Sequence, residues 1–295
     1  MTLPRADIAV IGGSGVYDLP ELENRQWLRV DSSFGTPSDE FLFGTVRDVS
    51  LVFVPRHGRG HVLSPSAINY RANIDALKRV GVQDVISVSA VGSLVDDLPP
   101  GTFVLVDQYV DRTVLRESTF FGAGCVAHVS MAHPTCSQLS QLLHRAALDS
   151  SLPCRLGGTY LAMEGPQFSS RAESNLYRAW DCHVIGMTNM PEAKLAREAE
   201  LCYSSICMVT DYDCWHPQHE SVTVADVVRV MGENSRNAQR LLLAAIPLIP
   251  QAPDRASWHG RQALENAIIT SESARDQTMV KRLSAVAGRV LGHHE

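Results

Sequence analysis

Two carboxylates, Asp211 and Asp213, stand one residue apart in "MVTDYDCW" (residues 208–215), after an apolar run and before a tryptophan. Carboxyl groups this close shift each other's proton affinity, and a carboxylic acid can both donate and accept a hydrogen bond. Aspartate is also common in turns, so locally both readings stand. A second cluster, "VPRHGRGHVLSP" (54–65), delivers Arg56, His57, Arg59 and His61 within six residues. Guanidinium forks match tetrahedral oxyanions bidentately and imidazoles add donors, which makes this loop the strongest anion signal in the chain. "VIGGSGVYD" (10–18) adds a glycine turn with the Ser14 hydroxyl, "SVSAVGSL" (87–94) offers Ser89 and the amide of Ala90, and "IGMTNMPEAKLARE" (185–198) sets Thr188 at a helix entry. Each can point N–H or O–H donors at a phosphate, although Thr188 also suits a plain helix start. The first of these is neither a Walker loop nor a dinucleotide fingerprint: no Gly-Lys-Ser/Thr follows, and Asp18 stands where the last glycine belongs.

The elements that must position these groups alternate between strand and helix. "DIAVIGG", "VSLVFVP", "DVISVSAVG", "TFVLVDQYV", "HVIGM" and the run "LCYSSICMV" before Asp211 predict strands. Helices are expected over 66–80, 134–150, 171–180, 191–199 and 223–243. The alternation predicts an α/β fold, a single domain with a central mixed β-sheet flanked by helices. The reactive loops leave strand ends, where ligands bind in such sheets. A Pro-marked break at "IPLIPQAPDRAS" bounds residues 1–250 from a tail, 251–295, expected to pack on the same domain or on a neighbouring subunit. Within the tail, "LENAIITS" reads as one more short helix.

A net charge of −6 without a basic stripe argues against a nucleic-acid partner. No apolar run reaches the roughly 18 residues a membrane span requires, and the N-terminus lacks a leader pattern, so the expectation is a soluble cytoplasmic protein. The seven cysteines are scattered without a C-x-x-C pair, which suggests buried free thiols and neither a disulfide framework nor a metal site.

"GGSG", "RHG", "SAVGS", "EGPQFSSRAES", "GMTNMPEAKLAREAE" and "TDYDCW", in this order over roughly residues 7–245, resemble the trimeric purine nucleoside phosphorylases, and within them the 5′-methylthioadenosine phosphorylases. The resemblance implies phosphorolysis without metal or organic cofactor, with inorganic phosphate as co-substrate, in a homo-oligomer whose subunits share active sites. Trimer and hexamer are both compatible with the sequence, since interfaces carry no short motif. Carried over, it assigns Ser14, Arg56, His57, His61, Ser89, Ala90 and Thr188 to phosphate, Met187 to the ribose and Phe168 to the base pocket. His128 resembles a histidine lent by the neighbouring subunit. Val224 and Val228, four residues apart on one helix face, are placed against the 5′ methylthio group, although their spacing alone says core helix. The tail segment "SWHGRQALENAIITSES" departs from the family pattern, in which this region caps a neighbour's pocket.

Adenine presents an N7 acceptor and an N6 donor on one edge. Asp211 is therefore expected to protonate N7 as the glycosidic bond breaks and to accept from N6, with Asp213 adding an acceptor and raising the Asp211 pKa by like-charge repulsion. The alternatives are a 6-oxopurine nucleoside or methylthioinosine phosphorylase, a nucleosidase, and a nucleoside-binding module without turnover. "TDYD" speaks against the first two, because 6-oxopurines favour asparagine in this loop. A nucleosidase has little use for Arg56 and His57 as anion ligands.

Overall fold

Successive side chains of a strand point to opposite faces, so a strand that is apolar throughout needs cover on both. The computed structural model describes residues 3–13, 15–217 and 224–292, except for the side chains of residues 224–227 and 229. Its strands are β1 (Ile8–Gly12), β2 (Glu23–Leu28), β3 (Phe41–Val46), β4 (Val49–Pro55), β5 (Asp84–Ser93), β6 (Phe103–Leu105), β7 (Gln108–Asp111), β8 (Cys154–Leu156), β9 (Thr159–Ala162), β10 (Val184–Gly186) and β11 (Cys202–Asp211). The α-helices are α1 (Tyr70–Arg79), α2 (Ser137–Asp149), α3 (Arg171–Ala179), α4 (Asn189–Glu198), α5 (Val224–Ala245), α6 (Gln277–Arg282) and α7 (Ser284–Leu291).

All these strands join one mixed sheet. Along its main path the order is β2-β3-β4-β1-β5-β10-β9-β7, and β11, β6 and β8 branch from β5. Ala9, Ile11, Val52 and Val54 point into a core covered by α1, α4 and α7, while Ile8, Val10, Leu51 and Phe53 point into a second core under α2 and α5. No helix among the described residues is long and apolar enough to cross a membrane.

Two expectations change. The run "TFVLVDQYV" is two strands, because β6 pairs with β11 and β8 whereas β7 pairs with β9. "LENAIITS" is not a helix: Asn266 sits at φ 61°, a left-handed conformation that breaks one, and Ile268 bridges to Ala127. The tail's α-helices are instead α6, whose N-terminus Asp276 caps through the amide of Met279, and α7. Leu264, Leu283 and Val286 bury in the same core as β1, so the tail packs on the sheet of its own chain.

Candidate active site

The central strand β5 changes partner along its length. Asp84 to Ser87 pair with β1, whereas Gly92 and Ser93 pair with β10. Between them, residues 88–91 face a gap where β1 has ended and β10 has not begun, the kind of switch point at which α/β sheets bind ligands. A cavity of about 570 Å³ fills that gap, within the usual range for a small-molecule site. It is lined by Gly13 after β1, residues 88–92 of β5, Gly186 at the end of β10, and Met187 and Thr188 after it.

One end of the cavity is built for an anion. Arg56 follows β4 and is only 2% exposed. Its Nε and Nη2 donate to the Glu192 carboxylate at 2.8 and 3.0 Å, Nη2 also donates to Ser87 Oγ at 2.6 Å, and Nη1 donates to the Val88 carbonyl at 3.0 Å. The fork expected to clamp an oxyanion is thus taken by Glu192, and one Nη1–H is left over among the described residues. His57 donates from Nδ1 to the Leu63 carbonyl at 2.8 Å and stacks on His61 at 4.2 Å. Burial, reinforced by the charges of Arg56 and His61 against the pull of the Leu63 carbonyl, pushes its pKa down to about 4. His57 is therefore neutral at pH 7, with a lone pair on Nε2 where the sequence suggested another donor. Arg59 turns away to Asp39 and Glu40, at 2.8 and 2.9 Å, and lies over the ring of Trp27. Ser89 Oγ donates to Asn189 Oδ1 at 3.1 Å, and Asn189 is held in turn by Ser205 and Tyr109. The Thr188 amide bonds to the Tyr160 hydroxyl, which sits so close to Gly186 that an added Cβ there would overlap it.

The other end holds the carboxylates. β11 runs two residues beyond its expected end, and a register shift between Val209 and Asp211 turns its last residue toward the cavity. Asp211 Oδ2 accepts from the Thr210 hydroxyl at 2.6 Å, and Oδ1 accepts from the Asp213 amide at 2.8 Å. The second bond closes an Asx turn that sets Asp213 at φ 52°, a conformation aspartate tolerates. Asp213 is 6% exposed. Burial raises its pKa, the nearby Ser174 hydroxyl opposes the rise, and the charge of Asp211 adds to it. A raised pKa is thus found on the second carboxylate of the pair, with burial as its leading cause. Trp215 anchors the turn by donating from Nε1 to the Ser93 carbonyl at 2.8 Å, with the Arg178 guanidinium over its ring.

Arg56, His57, His61, Ser89, Ala90, Phe168, Met187, Thr188, Asp211 and Asp213 all line this cavity. Phe168 stands two residues before Ser170, which caps α3 through a capping box with Glu173. Ser14 and the side chain of Val224 lie outside the described residues. Val228 is 61% exposed and does not line the cavity, and His128 is exposed on a segment whose amide bonds to the Ala267 carbonyl. From α5 the cavity takes Met231 and Ser235 instead. Both continue the helical stripe from Val224 and Val228, so the same spacing argument, carried two turns further, could have found them. Arg116 has no such signal: its Nη1 donates to the carbonyls of Met187 and Met190 at 2.5 and 2.6 Å, and its Nε donates to Glu164. It holds the Met187 segment in place.

A profile of the phosphorylase superfamily matches residues 7–247. The chain belongs to that superfamily. The S-methyl-5′-thioadenosine phosphorylase of Rhodospirillum rubrum is 58% identical over 285 residues, which cover 97% of each chain. That of Cereibacter sphaeroides is 54% identical, covering 96% of this chain and 98% of its own. Among solved structures, a methylthioadenosine phosphorylase sourced from an antarctic soil metagenomic library superposes with a TM-score of 0.91 at 44% identity, covering 96% of this chain and 99% of that one. The Schistosoma mansoni methylthioadenosine phosphorylase in complex with adenine gives a TM-score of 0.83 at 36% identity, covering 92% and 99%. The likeness read from the motifs extends over nearly the whole chain.

Proposed function

We propose that the protein carries out phosphorolysis of 5′-methylthioadenosine: inorganic phosphate attacks C1′, adenine leaves, and 5-methylthioribose 1-phosphate forms. The observation that carries this reading is a single cavity with Arg56 and His57 at one end and Asp211 and Asp213 at the other. Arg56 is anchored at the Val88 carbonyl and Asp211 lies against Gly92, four residues further along β5, so about 13 Å of strand separates them, room for a nucleoside between an anion and an acid. The names of the relatives support the same substrate.

In this reading phosphate lies among the free Nη1–H of Arg56, the Ala90 amide and Thr188 and donates its own O–H to His57 Nε2, with Ser89, His61 and Ser14 completing the shell. Met187 holds the ribose, and Phe168 flanks the base. As the C1′–N9 bond breaks, the electron pair passes into the purine and positive charge grows on the sugar, facing the phosphate oxygens. N7 takes a proton from the aspartate pair. The anionic partner of that pair accepts from N6. From α5, Met231 would face the 5′ group in place of the exposed Val228.

The same reading includes a homo-oligomer, a trimer in the first instance, in which His128 serves a neighbouring site. Exposed Val126 and Ile269, joined beside His128 by the Ile269 amide to the Val126 carbonyl, support a surface made for contact. Free thiols throughout suit a reducing, cytoplasmic compartment.

The test is the ratio of adenosine to inosine efficiency in wild type, Asp211→Asn and Asp213→Asn. An amide in place of the acid mispairs with adenine at about 1–3 kcal/mol and removes a general acid worth about 10²–10⁴ in rate, so the ratio should fall. A ratio that stays constant while melting temperatures drop would make both residues turn formers only.

A further inference from the structure

Glu192 is as buried as Arg56, 2% exposed. Besides the two bonds from Arg56, its carboxylate accepts from Ser87 Oγ at 2.7 Å and from the Tyr203 hydroxyl at 2.9 Å. Ser87 closes the ring by accepting from Arg56 Nη2 while donating to Glu192. The bridge joins the end of β4 to the start of α4 across the sheet, between residues 136 apart in sequence. Every N–H of the guanidinium but one is consumed in it or in the Val88 carbonyl. Arg56 meets the cavity as a fixed edge of a charge-balanced pair, not as a free cation.

We infer that Glu192 is a positioning residue for phosphorolysis: it orients Arg56 so that one Nη1–H is aimed at the phosphate, and it offsets the arginine's charge. The inference rests on the reading of this end of the cavity as the phosphate site. A free buried guanidinium would hold the phosphate dianion tightly before reaction as well as during it, and such uniform binding does not raise kcat. Alignment does, because a misplacement of about 1 Å costs about 10² in rate. Glu192 therefore trades phosphate affinity for alignment.

Glu192→Gln keeps the shape, removes the charge and turns an amide N–H against one of the arginine's own donors. In the full-length protein, kcat for methylthioadenosine should fall about 30- to 100-fold, while the phosphate Kd measured by calorimetry stays the same or tightens up to about tenfold. A kcat per folded molecule within about threefold of wild type, or a phosphate Kd weakened more than about tenfold, overturns the inference. Should Glu192→Gln not fold, Tyr203→Phe removes one prop and keeps the charge; it should lower kcat about 3- to 10-fold at unchanged phosphate Kd, and an unchanged kcat overturns the inference equally. Failure of the functional reading shows separately, as wild-type protein that binds phosphate yet releases no adenine. The change in phosphate Kd on Glu192→Gln then still decides the role of Glu192.

Discussion

Replacing Gly92 by alanine probes the acid pair with a single carbon atom. An ideal Cβ at this position falls 2.9 Å from Asp211 Oδ1, 3.1 Å from Ile185 Cγ2 and 3.4 Å from Asp213 Cβ. The backbone there is strand, paired with β10 and β11, so alanine is conformationally allowed and the effect is steric. Ordinary contact begins near 3.4 Å, so the Asp211 oxygen must retreat by about 0.5 Å. The same oxygen accepts from the Asp213 amide at 2.8 Å, which passes the shift to the second carboxylate. Scaling from about 10² in rate for a 1 Å misplacement, kcat/KM for methylthioadenosine should fall about tenfold. Overpacking should remove about 1–3 kcal/mol of stability, or about 2–5 °C of Tm. The KM for phosphate should stay within about twofold of wild type, because Arg56 and His57 lie at the other end. Steady-state kinetics with each substrate varied in turn, beside a melting curve, reads all three. A lowered Tm with unchanged nucleoside kinetics, or a phosphate KM that rises in step, refutes the two-ended account of the cavity.

Asp213→Asn should separate stability from activity. Burial raises the Asp213 pKa above its unfolded value, so its contribution to stability is full below the unfolded pKa and is lost as pH rises through the folded one. The asparagine variant should then melt higher than wild type at pH 7, with the difference shrinking toward pH 4, while adenine release falls about 10²–10⁴; a variant less stable at both ends of that range contradicts the assignment. Arg56→Ala should do more than weaken phosphate: it strands a buried carboxylate, a loss of about 3–5 kcal/mol, and adding Glu192→Gln should restore part of it. Urea denaturation of the single and double variants measures the coupling, and an additive result dissolves the pair.

Short-range patterns carried much of this protein. The boundaries of β4 follow from an apolar run that stops at Pro55, and the loops after β1, β4, β5, β10 and β11 are marked by residues that donate to anions or carry protons. What stayed hidden depends on contacts distant in sequence. β2, "ENRQWL", is a largely exposed edge strand without apolar alternation, so its pairing with β3 is its main structural signal. β3 and β4 are joined by Arg47 and Asp48, both at positive φ without a glycine to announce the hairpin. The occupancy of the Arg56 fork by Glu192 cannot be read from "RHG", because its partner lies on a helix whose own sequence reads as an ordinary entry. Likewise "TDYD" announces two carboxylates but not which is the more buried; that is decided by the bulge at the end of β11 and by the close approach of Gly92.

Phosphorolysis requires that phosphate, not water, take the sugar. Incubating the wild-type protein with methylthioadenosine with and without inorganic phosphate, and following adenine by chromatography and the sugar phosphate by phosphorus NMR, tests it most directly. Adenine is expected only when phosphate is present, with one sugar 1-phosphate formed for each adenine released. Adenine released equally without phosphate would mean hydrolysis, and no adenine under either condition would mean that the cavity binds nucleosides without turning them over.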